Sequence, residues 1–125
     1  MIVTRDGKVF KAGDVDYRFS IQSVSKPFTA ALIMAQQGPE AVREKIGVEP
    51  TGLPFNSKIA IEMYESRSVN PMVNAGAIAA VSLVDAKNEE ERWSLVHNNI
   101  EGFAGGQLPV LEEVYTSEYL SLIHI

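Results

Sequence analysis

The pair Asp6-Gly7, set between Ile2-Val3-Thr4 and Lys8-Val9-Phe10, does most to limit what this chain can become. Asp-Gly supplies the positive backbone angles of a tight turn, so the flanking residues are expected to pair as a β-hairpin. A two-stranded hairpin is marginal in water until further strands or a helix cover it. The rest of the chain is mainly helical in pattern. From Ser23 to about Gln37, Phe28, Ala31, Leu32 and Ala35 recur at helical spacing, and Gly38 is placed to stop the helix. Pro39 opens a short helix ending near Gly47. Val48–Ser57, with two prolines and a glycine, reads as an ordered loop. Ile59, Ile61 and Met63 alternate, which makes Lys58–Tyr64 a candidate strand. Pro71 stands where a helix can begin and run through Ala75–Val84. Asn88 before Glu89-Glu90-Glu91 marks another helix start, and that helix runs to about Phe103 before Gly105-Gly106 breaks it. The expected class is α+β, a β-hairpin plus helices belonging to one larger domain.

Composition removes several functions. The 125 residues carry a net charge of −5 with no basic run, so nucleic acid is not an expected partner. There is no cysteine, which excludes disulfides, thiol catalysis and Cys-ligated zinc. His97 and His124 have no ligand-type neighbours at metal-binding spacing. The longest apolar stretches, Phe28–Ala35 and Ala75–Val84, fall short of the roughly 20 residues that span a bilayer. Met1 leads directly into Ile2-Val3-Thr4-Arg5 with no apolar leader, so a cytoplasmic location without a membrane partner is expected.

The one arrangement that carries chemistry is Ser23-Val24-Ser25-Lys26, the single S-x-x-K in the chain. Residues three apart on a helix share a face, so the Lys26 amine can reach the Ser23 hydroxyl. A serine becomes a nucleophile when a neighbouring base takes its proton, and a desolvated lysine can be that base. At a helix start, free backbone N–H groups also favour developing negative charge. Against this, ten serines and six lysines in 125 residues give about half an S-x-x-K by chance. An N-capping serine beside a solvated lysine fits the same four residues. Pro27 adds a constraint, since it disfavours helical geometry at Lys26 and fits only in a first helical turn. The helix is therefore expected to start at about Ser23.

Three blocks extend the motif. Phe19-Ser20-Ile21-Gln22-Ser23-Val24-Ser25-Lys26 resembles the F-x-I-Q-S-I-S-K block of glutaminases. Glu49-Pro50-Thr51-Gly52-Leu53-Pro54-Phe55-Asn56-Ser57 resembles their E-P-S-G-x-P-F-N-S block. Asn70-Pro71-Met72-Val73-Asn74-Ala75-Gly76-Ala77-Ile78 resembles their N-P-x-I-N-A-G-A block. The three occur in family order and cover about Val3 to Tyr119.

The resemblance implies a fold shared with serine β-lactamases and penicillin-binding proteins. It also implies hydrolysis of L-glutamine to L-glutamate and ammonia through an acyl-serine, with no metal or organic cofactor. Ser23 matches the nucleophile, Lys26 the general base and Asn74 a substrate-binding amide. Glu118 matches a carboxylate that faces the substrate's α-ammonium, where a charge-assisted acceptor is needed. A homo-oligomer, dimer or tetramer, is implied for the whole enzyme. Another S-x-x-K amidohydrolase of β-lactamase or peptidase type, or a non-catalytic module keeping the fold, are the alternatives.

This sequence also departs from the family. Family members are more than twice as long, and no Lys-Ser/Thr-Gly strand motif occurs here. Leu120-Ser121-Leu122-Ile123-His124-Ile125 does not continue the family pattern, and a second substrate asparagine would fall at about Ile125. The expectation is a partial domain over 1–119, a non-family tail over 120–125, and a missing C-terminal half. With that half absent, the face of Phe28, Leu32 and Ala35 is expected to lack its cover.

Overall fold

A computed structural model describes residues 1–54, 56–62 and 64–123. The chain divides into two compact units: Gln22–Val110, and Met1–Ile21 together with Leu111–Ile125.

In the terminal unit, β1 (Ile2–Val3) pairs antiparallel with β2 (Val9–Phe10), with Ile2 opposite Phe10 and Val3 opposite Val9. The hairpin closes as expected from Asp6-Gly7. Thr4 N donates to Lys8 O and Gly7 N to Thr4 O, both at 2.9 Å, and Gly7 takes φ 80°. That left-handed angle, cheap only for glycine, is what a three-residue hairpin loop requires. The unit also holds a helix at Glu112–Ile123, on which the Tyr115 and Tyr119 rings stack 6.4 Å apart. The sequence pattern did not point to this helix.

The larger unit is helical: α1 (Lys26–Gln37), α2 (Pro39–Lys45), α3 (Lys58–Glu62), α4 (Asn74–Ser82) and α5 (Glu89–Ala104); the terminal helix Glu112–Ile123 is α6. α1 lies at the centre and packs against α2, α4 and α5. Ile33 of α1, Val42 of α2, Ile46 just beyond it, Ala80 of α4 and Val84 form the buried cluster, edged by Leu32, Leu95 and Val96. Burying a valine or isoleucine side chain in this cluster contributes about 1.5–3 kcal/mol.

The helix stops and caps obey local chemistry. Gly38 ends α1 at φ 85°, and its N–H donates to Met34 O at 3.0 Å. Asn88 caps α5, its Oδ1 accepting from Glu91 N at 2.8 Å, and Gly105 closes that helix in the left-handed conformation. All three helix ends match the expectation from sequence.

Three expectations are corrected. α-Helical geometry begins at Lys26, preceded by a 3-10 turn over Gln22–Ser25, whereas a helix from Ser23 was expected. An α-helix through Pro27 would drive its ring into the carbonyl four residues back, on Ser23, so the chain enters by the tighter turn. The face of Phe28, Leu32 and Ala35, expected to lack its cover, is partly covered, while the fully buried stripe of α1 is Thr29, Ala30 and Ile33. Phe28 and Leu32 are half-buried, Phe28 against Phe103 of α5 with ring centroids 5.0 Å apart, and Ala35 is exposed. Neighbours on three sides widen the covered arc and shift its centre. Lastly, Lys58–Glu62 is helical rather than a strand, and Met63 lies outside the described residues. A helical turn bonds part of its backbone within itself, whereas a strand there would need an edge to pair with.

Candidate active site

The turn that carries Ser23 is held in an unusual conformation. Gln22 takes φ 40°, the one left-handed angle on a non-glycine among the described residues. Such a conformation costs on the order of 1–3 kcal/mol and persists only where surrounding contacts impose it. Part of that constraint is visible: Ser25 Oγ donates to Gln22 O at 2.6 Å, tying the turn across its own width. Ser23 itself is exposed, one turn ahead of α1.

Lys26 is the first residue of α1, and its amine reaches across to α4. Nζ donates to Asn74 Oδ1 at 2.6 Å and to Met72 O at 3.0 Å. Asn74 opens α4, so its side chain leaves the helix at its first position and stands toward the start of α1. Burial shifts the Lys26 pKa below the usual lysine value, because desolvation disfavours the ammonium. The structure thus brings two of the sequence-selected residues into direct contact, beside the turn that bears the third. Glu118 is exposed on α6, in the terminal unit, and its part in substrate binding rests on the resemblance alone.

Sequence reasoning missed the residues that hold this arrangement. Glu49 and Asn70 open the second and third blocks, and each anchors a loop. The Glu49 carboxylate accepts from both terminal guanidinium nitrogens of Arg67 at 2.8 Å, and Arg67 also lies 4.5 Å from the Tyr64 ring centre. Arg67 holds the Glu49 carboxyl down to about 2, with help from the Val48 N–H. Asn70 Nδ2 donates to Glu49 O at 2.8 Å, while its Oδ1 accepts from Met72 N at 2.9 Å and Val73 N at 3.2 Å. Gly76 is buried where any Cβ would run into the Asn70 carbonyl, which explains the glycine of the third block. The signal was available in an Asn-Pro at a turn before a helix, which favours turn initiation. Its long-range partner was not.

No group of three or more His, Cys, Asp or Glu side chains is placed to hold a metal ion among the described residues. His97 Nε2 lies 3.0 Å from Leu108 O and its Nδ1 3.8 Å from Glu101, so it serves the end of α5. His124 lies outside the described residues. Among the described residues, no helix is long and apolar enough to cross a membrane.

The fold is shared with solved glutaminases. A structure titled "Probable glutaminase ybaS" superposes with TM-score 0.90 at 48% identity, over 95% of this chain and 38% of that one. A Bacillus glutaminase determined in 4.3 M NaCl gives TM-score 0.89 at 31% identity, over 96% of this chain and 40% of that one. The architecture is therefore a portion of the α+β, β-lactamase-like glutaminase fold. Sequence comparison agrees. The Glutaminase family model matches residues 1–122. A glutaminase of Colwellia psychrerythraea is 56% identical over 117 residues, covering 94% of this chain and 38% of the relative. One from Brucella canis is 50% identical over 123 residues, covering 98% and 39%. The chain belongs to the glutaminase family. It spans about two-fifths of the length of the curated relatives it matches.

Proposed function

We propose that a protein carrying this segment hydrolyses L-glutamine to L-glutamate and ammonia, with Ser23 as nucleophile and Lys26 as general base. The observation that carries the reading is the Lys26–Asn74 contact at 2.6 Å beside the Ser23 turn, in a chain of the glutaminase family. In its neutral form Lys26 takes the Ser23 proton as Oγ attacks the side-chain amide carbon. The tetrahedral intermediate then collapses: the C–N bond breaks, and the proton passes from Lys26 to the departing ammonia. Water attacks the resulting ester with Lys26 again as base, the proton returns to Ser23 Oγ, and glutamate leaves.

Asn74 has a second role in this reading. Its Oδ1 is taken by Lys26, so its Nδ2 is the group left to donate to a substrate oxygen. Glu118 would accept from the substrate's α-ammonium. A homo-oligomer, dimer or tetramer, with L-glutamine as the small-molecule partner completes the proposal.

The test is covalent. An electrophilic glutamine analogue is expected to modify Ser23 in a full-length glutaminase carrying these residues, and to leave Ser23→Ala unmodified. No adduct in the unaltered enzyme, or an adduct that persists in Ser23→Ala, sinks the mechanism.

A further inference from the structure

We propose that Asn70 is a positioning residue for the base: it fixes the turn from which two acceptors aim the Lys26 amine. This role rests on the acyl-serine reading above and goes beyond it to a residue that touches neither Ser23 nor substrate in that scheme.

A neutral lysine nitrogen has two N–H bonds and one lone pair, in tetrahedral array. Met72 O at 3.0 Å and Asn74 Oδ1 at 2.6 Å each accept an N–H from it and so hold the amine from the α4 side. The direction of the lone pair, the part that accepts a proton from Ser23, follows from where those N–H bonds are held. Whatever sets the positions of Met72 O and Asn74 therefore sets the aim of the base.

Met72 O sits on a short turn and Asn74 opens the helix that the turn leads into, and Asn70 builds that turn. Its Oδ1 accepts from the N–H groups of Met72 and Val73, an arrangement that folds the chain back on itself ahead of α4. The peptide unit joining Met72 to Val73 is thus gripped by Asn70 at its N–H while its carbonyl receives Lys26. The remaining polar group of Asn70, Nδ2, donates to Glu49 O at 2.8 Å, which ties the turn to a second loop. That loop is itself pinned, since Glu49 N donates to Val69 O at 3.0 Å and the Glu49 carboxylate grips Arg67. On the far side, the Asn70 carbonyl lies against Gly76 with no room for a Cβ between them. Every hydrogen-bonding group of the Asn70 side chain is committed to this one geometry, and its product is the placement of two oxygens around Lys26.

Substitution should register in the chemical step before it registers in binding. Displacing a base by about 1 Å costs on the order of 100-fold in rate. In a full-length glutaminase carrying these residues, Asn70→Ala is expected to lower kcat about 100-fold while KM changes less than about threefold. Asn70→Asp keeps the oxygen that accepts from Met72 and Val73 but sets a second acceptor against Glu49 O, so it should recover only part of that loss, about tenfold. If Asn70→Ala fails to fold, Asn70→Ser offers a hydroxyl acceptor for Met72 N, and its kcat should fall between those of the unaltered enzyme and a Lys26→Ala variant. Unchanged kcat in folded Asn70→Ala overturns the proposal. So does a parallel loss in kcat and binding that Asn70→Asp does not relieve, or an Asn70→Ser enzyme with full kcat. Failure of the underlying mechanism reads differently, as an unaltered enzyme with no Ser23 adduct.

Discussion

The Glu49 carboxylate receives both terminal nitrogens of Arg67 at 2.8 Å, the fork-to-fork geometry in which an ion pair is most directional. Arg67 holds the Glu49 carboxyl down to about 2, against an ordinary value of 4.5. Linkage fixes the sign of the pH effect. A carboxyl whose pKa is lower in the folded state stabilises the fold above its unfolded pKa, and that contribution is lost as pH falls toward the folded value. The window is therefore about 4.5 down to about 2. Urea midpoints of the chain should decline through that window, and Glu49→Gln should flatten the decline. Parallel acid profiles for the two proteins would show that the pair does not contribute. Close by, Gly47 at φ 105° leaves room for the Arg67 guanidinium and the Val69 carbonyl, which a side chain would block.

Unlike α1, α2 and α4, α5 has no fully buried residue, and it meets the rest through Leu95, Val96 and the Phe28–Phe103 contact. Its ends must carry more of its stability. The Asn88 side chain satisfies Glu91 N at 2.8 Å, and three glutamates stand in the first turn where the helix dipole favours them. Asn88→Ala should cost about 1 kcal/mol, a drop in Tm of roughly 4–8 °C for a domain of this size, while Asn88→Asp should cost far less. Thermal melts of the three proteins give the answer, and equal Tm values for Ala and Asn would show that the cap contributes nothing. α1 shows the opposite balance. It is central and apolar, yet where it begins is set by Pro27 and which face it hides by its three neighbours.

At the scale of the whole molecule, the chain covers about two-fifths of its relatives' length. It keeps Met34, Ile78 and Val81 of α1 and α4 exposed. The purified 125-residue chain is expected to release no glutamate from L-glutamine, measured with a coupled glutamate assay against a full-length family member. Turnover comparable to that enzyme would show that the segment contains a complete site.

Much of the local structure was legible in the residues themselves. The Asp6-Gly7 hairpin, the Gly38 and Gly105 stops and the Asn88 cap depend on backbone angles and N–H groups within a few positions, so neighbouring residue types decide them. The blocks around Ser23, Glu49 and Asn70 identified the family for the same reason: they are contiguous strings. What the string could not decide is whatever depends on residues far apart. The Lys26–Asn74 contact joins positions 48 apart, Glu49–Arg67 positions 18 apart, and Asn70–Glu49 positions 21 apart. The buried stripe of α1 and the helical state of Lys58–Glu62 belong to the same class. There, packing and backbone satisfaction against distant elements outweigh propensities of a few tenths of a kcal/mol per residue. Sequence alone named Ser23 and Lys26; the fold alone set the Asn70 turn against the lysine.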